Sequence, residues 1–283
     1  MDGPTRVLRV KSWGVTAEFV VDGRPIVVKH SQPVLYPQTR SIHTALEAVC
    51  PDAIPPLLAF AEEHGWQRTA FAVVAGKTVQ DAGGSALVDI ASALGRVQVE
   101  FARSGDGGGL PTYDLLSVAD TLADDVGRTG DVDPRLVTAL VEALPTLRRR
   151  AEELVQAPVS IDHPDVQDTN ALVRDDDASI VLLDWEEAMV GCPFFSLHRL
   201  LRDAELVHLT GPVRRAYVDS LQAWGDERTL DRWIELALAL APLKLAGEAR
   251  SFARALGLQQ PHSKYTTRLI TDCLQKLTTS SNA

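Results

Sequence analysis

Residues 160–170 read SIDHPDVQDTN, and Asp184 lies fourteen positions beyond Asn170, within LLDWEEAMVGCPFF. These residue types suit phosphoryl transfer. A loop carboxylate such as Asp165 can orient a substrate hydroxyl and accept its proton as the new bond to phosphorus forms. An amide oxygen and a second carboxylate, from Asn170 and Asp184, are the hard donors that Mg²⁺ prefers, with phosphate and water completing its octahedron. Taken singly, each residue has a blander use. His163 reads as a satisfied loop histidine, and Asp184 as a helix N-cap before WEEAM. Glu186 and Glu187 read equally as first-turn acids favoured by a helix dipole. The three oxygen-bearing residues at this spacing favour the functional reading.

Such a set needs a rigid support, and the sequence between its members provides one. Strand-forming runs, Ala171–Val173 and Ser179–Leu183, flank the polar turn RDDDA. A hairpin centred on Asp177 opposes residues whose numbers sum to 354, which pairs Asn170 with Asp184. Directly opposed side chains have Cβ atoms roughly 4.5–5.5 Å apart, close enough to share a cation. A register shift of one would send them to opposite faces.

Upstream, RVLRVKSW, AEFVVDG and RPIVVKH predict strands, with Asp22-Gly23 as a tight-hairpin turn between the last two. TRSIHTALEAV predicts a helix and WQRTAFAVVAG a further strand. From SALVDIASALGRVQVEFA onward the pattern is helical, with Leu87, Ile90, Leu94, Val97 and Phe101 on one face. RSGDGGGLP reads as a loop, and YDLLSVADTLADDV as a helix. In DVDPRLVTALVEAL, Asp133 is placed as N-cap and Pro134 as first helical residue. Pro145 is expected to open a separate helix. Later helices are expected near 195–209, 211–224, 229–256 and 262–278. The expected class is therefore α+β, with a small β-rich lobe over 1–82, a mainly helical lobe over 83–283, and a cleft between them.

The chain has 283 residues, 45% of them hydrophobic and 23% charged, as in ordinary globular proteins. No apolar run is long enough to span a bilayer, and the first residues lack the apolar core of a secretory signal. Cys50, Cys192 and Cys273 are odd in number and far apart, which suits a reducing interior and gives no metal-ligand spacing. The formal charge of −10 argues against nucleic acid and favours cationic ligands. A cytoplasmic address, without nucleic acid or membrane partners, is the expectation.

The spacing D-x-x-x-x-N, then an apolar strand, then Asp is that of the catalytic loop and metal-binding Asp of kinases. HPDVQDTNALV and VLLDWEEAMVGCPFFSL resemble the aminoglycoside phosphotransferase family, whose usual form is H-G-D-x-x-x-x-N followed by an I-D-W-E-like stretch and G-x-P. The strong resemblance covers about forty residues, and the order of elements and total length agree with it. It implies a protein-kinase-like two-lobed fold with ATP (or GTP) and Mg²⁺ as cofactors. Asp165 then matches the catalytic Asp, His163 the residue that braces the loop, and Asn170 and Asp184 the metal ligands. Lys29, in PIVVKH, matches the strand lysine that pairs with nucleotide phosphates. Its expected partner is Glu47, the only acid of the following helix, with Thr39 as the alternative occupant of that place.

The sequence departs from the family at four places. Pro164 replaces the glycine of H-G-D, and Gln167-Asp168-Thr169 replaces the commoner His-Pro-Gly. No G-x-G-x-x-G covers the phosphates; WGVTAEF offers only Gly14. Ser196 stands where many members carry an Asp that supports the catalytic loop, a loss expected to be structural. AGKT at 75–78 lacks the glycine and the strand-loop-helix setting of a phosphate loop and reads as a strand end. GDGGG at 105–109 reads as a loop between elements.

The resemblance implies transfer of the γ-phosphate of ATP to a hydroxyl of a small molecule of aminoglycoside or natural-product type. Its acceptor pocket is expected from helices within 195–256. A Ser/Thr kinase acting on a precursor peptide, with a possible protein partner, is one alternative. A catalytically degenerate pseudokinase binding module is another, motivated by the missing glycine loop and the open question of the Lys29 partner.

Overall fold

The computed structural model describes residues 3–105, 107–257 and 263–280. Asp106 of the glycine-rich loop and His262 at the expected start of the last helix lie outside them. The N-terminal part is an antiparallel sheet of β1 (Arg6–Lys11), β2 (Gly14–Val21), β3 (Arg24–Ser31), β4 (Leu57–Glu63) and β5 (Trp66–Ala72), in the order β1-β2-β3-β5-β4. Asp22 and Gly23 both have positive φ, 52° and 74°, the conformation a two-residue hairpin of this twist demands. β3 is central, and Lys29 pairs with Thr16 on one side and Thr69 on the other.

β4 is an element the sequence reading leaves unassigned. LLAFAEE is rich in helix formers and lacks alternation, yet it pairs with β5 across His64-Gly65, again with both φ positive. Neighbouring-strand pairing overrides local propensity here. Between β3 and β4 lies α1 (Thr39–Val49), whose buried face is Thr39, Ile42, His43 and Leu46.

The chain crosses to the second part through β6 (Gly76–Thr78) and α2 (Val79–Ala82). The AGKT segment is thus a strand, and it pairs with β8. Next come α3 (Ala86–Ser104), α4 (Val118–Thr129) and α5 (Pro134–Leu154). The five apolar residues expected on one face of α3 are all buried. Asp133 caps α5, its carboxylate accepting from the Arg135 amide at 2.8 Å.

Pro145 does not open a new helix: α5 runs through it. The ring is exposed, whereas Leu140, Leu147, Ala151 and Leu154 form one buried face on both sides of it. Packing of that face outweighs the backbone hydrogen bond a proline forfeits.

The remaining elements are β7 (Ser160–Asp162), β8 (Ala171–Arg174), β9 (Ile180–Leu182), β10 (Met189–Gly191), α6 (Ser196–Leu206), α7 (Thr210–Ser220), α8 (Glu227–Ala255) and α9 (Ser263–Ser280). β7 pairs with β10, and β6, β8 and β9 form a second small sheet. Among the described residues no helix is long and apolar enough to cross a membrane. Small sheet and helical mass meet across a cleft, the two-lobed kinase-like architecture expected from the sequence.

Candidate active site

β7 delivers the chain into the loop 163–170, and β8 and β9 carry it on to Asp184. The hairpin register differs from the expected one. Ala171 pairs with Leu182 and Val173 with Ile180, so opposed numbers sum to 353 and Asn170 stands opposite Leu183. The turn is centred half a residue earlier than assumed. A regular strand in this register would aim Asp184 away from Asn170. Asp184 escapes that outcome because it adopts a left-handed backbone, φ 59° and ψ 46°, which breaks the strand alternation. Asn170 and Asp184 consequently line one cleft of about 960 Å³, together with Lys29 and Asp165. Holding a non-glycine residue in this region costs about 1–2 kcal/mol, and such strain tends to gather at functional sites.

His163 holds that kink. It is fully buried, its ring Nε2 lies 2.7 Å from the Leu183 carbonyl, and its ring packs against Trp185 with centroids 4.4 Å apart. Burial lowers its pKa, so a neutral ring donates this hydrogen bond. The histidine thereby ties the loop to the residue preceding Asp184.

The loop base is equally well fixed. The His163 amide donates to Ser196 Oγ (2.8 Å), which donates to Asp162 Oδ1 (2.7 Å). Buried Gln98 donates to the carbonyls of Ile161 and Pro193 and to Ser196 Oγ. Ser196 therefore does structural work at the position where relatives carry an acid. The acid is instead Asp162, whose Oδ2 is 2.7 Å from Lys244 Nζ of α8. Lys244 also donates to Glu248 (2.5 Å) and lies 4.8 Å from the centre of the Tyr113 ring. Burial alone would lower the lysine pKa; the two carboxylates outweigh it and keep Lys244 charged.

Lys29 lies in the cleft, but its partners are not those expected. Glu47 is exposed on the outer face of α1, where it does not reach Lys29. Thr39 donates to the Tyr36 carbonyl instead. The α1 residue that does line the cleft is His43, whose buried ring nitrogens lack hydrogen-bond partners and whose pKa burial pushes down to about 4. Lys29 Nζ donates to Glu186 Oε1 at 2.6 Å and also bonds Asp184 Oδ1. Burial would lower its pKa, yet Glu186 and Asp184 hold it above the ordinary lysine value. Burial likewise opposes ionisation of Asp184, but Lys29 and Arg9 keep its pKa below the usual carboxylate range.

Glu186, read from sequence as a first-turn acid, therefore stands where the helix glutamate was expected. The signal available for it was the WE pair of the family motif. Glu186→Gln is expected to lower turnover about ten- to hundredfold, the worth of one charge-assisted hydrogen bond. Glu47→Gln is expected to be neutral. Steady-state assay of both variants checks the assignment, and the reverse ranking would overturn it.

Asp165 accepts from Asn170 Nδ2 at Oδ2 (2.9 Å) and from Gln167 Nε2 at both oxygens (3.2 Å). Asn170 Nδ2 also donates to the Asp165 carbonyl (2.8 Å), which commits its nitrogen to the loop and presents its oxygen as an acceptor. Among the described residues no three His, Cys, Asp or Glu side chains converge on a metal site. The Asn170–Asp184 pair fits an ion such as Mg²⁺ that takes few protein oxygens and draws the rest from phosphate and water.

Asp165 also lines a second cavity, of about 730 Å³, on the other side of the loop. Its walls include Trp13, Tyr113, Asp114, Glu187, Glu248 and Phe252. Some come from within 195–256, as expected, but Trp13 reaches it from the β1–β2 turn and Tyr113 and Asp114 from the segment before α4. Trp13 stacks edge-on against Phe252 of α8, centroids 5.0 Å apart, and Tyr36 lies 6.3 Å from the same ring. Glu187 opens on this cavity with Tyr36 Oη at 3.4 Å and, among the described residues, no cationic partner. Glu187 is solvent-exposed at the cavity mouth, yet the surrounding protein mass and the acids Asp165 and Glu248 push its pKa up to about 7.

A two-lobed fold with this loop and cleft defines a phosphotransferase of the kinase-like class. Residues 12–236 match the family model described as the phosphotransferase enzyme family, APH, and the chain belongs to that family. Curated proteins offer no match to the sequence. Among solved structures, a thermostable mutant of aminoglycoside phosphotransferase APH(4)-Ia in ternary complex with AMP-PNP and hygromycin B is similar over 98% of this chain and 94% of its own, with TM-score 0.67 and 15% identity. Choline kinase from Cryptosporidium parvum Iowa II is similar over 98% and 90%, with TM-score 0.64 and 12% identity. Spectinomycin phosphotransferase APH(9)-Ia, in complex with ADP and spectinomycin, gives 98% and 92%, TM-score 0.54 and 10% identity.

Proposed function

We propose that this protein transfers the γ-phosphate of ATP (or GTP) to a hydroxyl of a small molecule that carries a protonated amine, of aminoglycoside or natural-product kind. The observation that carries this reading is the position of Asp165 on the shared wall of the two cavities. On one side Lys29, Asn170 and Asp184 line a cleft suited to a triphosphate. On the other lies a cavity within the size range of small-molecule sites.

In this reading Lys29 grips the phosphates and Glu186 holds Lys29 in line. Asn170 and Asp184 would hold Mg²⁺, which, when bound, neutralises charge on the phosphate oxygens. Asp165 orients the acceptor hydroxyl and takes its proton. His163 keeps Asp184 in its kinked conformation. Rate enhancement comes mainly from positioning and charge neutralisation. The nucleotide analogue and antibiotic bound by the APH(4)-Ia relative agree with such a pair of sites.

The amine follows from the second cavity. Among the described residues Glu187 lacks a cationic partner there, and Trp13 and Phe252 of the cavity lining offer aromatic faces that attract cations. Its volume favours a small acceptor over an extended peptide.

An aminocyclitol panel assayed beside precursor peptides tests the reading; transfer to peptides alone would overturn it. For an amine acceptor, KM is expected to rise as pH falls below about 7, because Glu187 takes up a proton and loses its charge. The limiting slope is about tenfold per pH unit. Glu187→Gln should raise KM and remove the part of this pH dependence that Glu187 causes.

A further inference from the structure

The loop residue at 167 is a glutamine where the family commonly has a histidine, and a neutral amide brings no charge of its own to Asp165. The side chains behind it bring that charge. Arg199 of α6 donates through Nη2 to Gln167 Oε1, and Gln167 Nε2 donates to both Asp165 oxygens, at 3.2 Å each. We propose that Arg199 and Gln167 form a relay of positioning residues that fixes the Asp165 carboxylate for acceptor activation. The inference deepens the assignment of Asp165 made above and rests on it.

Three observations carry it. First, the amide orientation has no alternative. A guanidinium only donates and a carboxylate only accepts, so Gln167 must turn its oxygen to Arg199 and its nitrogen to Asp165. The amide dipole then lies along the line from positive to negative charge.

Second, the guanidinium has little else to do. Among the described residues Arg199 makes no ion pair, and its Nε is buried without a hydrogen-bond partner. The neighbouring Asp203 is engaged by the Asp168 amide at 3.3 Å. A partly buried cation left in this state is costly unless its charge is used. Asp203 attracts it without a direct ion pair, and the hydrogen bond the structure gives it is to Gln167.

Third, the bonds to Asp165 are unequal. Oδ2 receives both Asn170 Nδ2, at 2.9 Å, and Gln167. Oδ1 receives only the longer Gln167 bond. The relay therefore fixes the carboxylate plane while leaving Oδ1 with spare acceptor capacity, and Oδ1 is the oxygen that meets the acceptor hydroxyl. Arg199 also lines the acceptor cavity beside Asp165, so acceptor binding and carboxylate orientation share one wall.

The test is a double-mutant cycle on the full chain, read by uncoupled hydrolysis of Mg·ATP with water as acceptor, so that no identified substrate is required. Gln167→Ala and Arg199→Met are each expected to lower kcat about ten- to fiftyfold, the loss of one hydrogen bond to a charged group. The nucleotide KM and the melting temperature should stay near those of the parent. The double variant should be no slower than the slower single variant, because each change breaks the same chain. Gln167→His should retain most of the rate and make Arg199→Met neutral in its background.

Parent-like kcat in either single variant, or single losses that multiply in the double variant, would overturn the relay. Should Arg199→Met fail to fold, Arg199→Lys replaces it: retained charge predicts a loss of only a few fold, and a loss as deep as that of Gln167→Ala counts against the relay. Asp165→Asn is assayed alongside. If it keeps full activity, the assignment of Asp165 itself fails; if it is inactive while Gln167→Ala and Arg199→Met are not, only the relay fails.

Discussion

Asp165→Asn is expected to reduce phosphoryl transfer about 10²–10⁴-fold, the usual contribution of a positioned general base, while leaving Mg·ATP binding close to that of the parent protein. The separation follows from where the side chain stands. Asp165 borders the nucleotide cleft, but its carboxylate is held by Asn170 and Gln167, whereas the cations of the cleft lie on Asp184 and Glu186. Asparagine keeps the volume and one acceptor oxygen and loses the basic site. Two measurements check this: transfer rate, and the rise in melting temperature on adding millimolar Mg·ATP, which reports binding to the native state. A variant with undiminished transfer would remove Asp165 from the chemistry. A variant that no longer responds to nucleotide would move it into nucleotide binding.

The largest expected effect on stability is that of Lys244→Met. Lys244 is buried and pairs with Asp162, itself fully buried, and with Glu248. Removing the cation leaves a buried carboxylate whose one remaining side-chain partner among the described residues is Ser196 Oγ. Breaking a buried pair from one side costs about 3–5 kcal/mol. For a chain of this size that lowers the melting temperature by roughly 10 °C, at about 2–4 °C per kcal/mol. The change should also loosen the catalytic loop, because Ser196 joins Asp162 to the His163 amide. Adding Asp162→Asn should restore a large part of the loss, since the charge that needs pairing is then gone. Differential scanning calorimetry of the single and double variants measures both; equal melting temperatures for Lys244→Met and the parent would show the pair to be energetically idle.

Much of this fold was readable because its signals are local. Asp22-Gly23 sets a hairpin by its own backbone preferences, and the apolar stripe of α3 declares both its period and its buried side. Asp165, Asn170 and Asp184 were readable by spacing, and the structure does gather them. The geometric argument that joined two of them was nevertheless wrong by one residue of register. They meet because Asp184 leaves the strand conformation, and nothing in the letters of VLLDW announces a left-handed residue. β4 was missed because its residues favour helix and are overruled by a neighbour.

Pairings between distant elements were the least readable. Whether Glu47 faces Lys29 depends on how α1 is rotated against the sheet, and the buried side proves to be that of His43. Glu186 lies 157 positions from Lys29, and no local pattern specifies a contact at that range. The ion pair of Asp162 with Lys244 and the Arg199–Gln167 bond are of the same kind. Each joins the catalytic loop to a helix whose placement is a property of the whole core.

The edge-on contact of Trp13 with Phe252 has a mechanical consequence. It ties the tip of the first hairpin to the longest helix and so bridges the entrance to the crevice. An aromatic pair of this geometry is worth about 0.5–1.5 kcal/mol beyond the area it covers, only one to three times thermal energy. The geometry of the ring pair thus adds only a modest term to the apolar contact that joins hairpin and helix, which fastens the two parts without locking them.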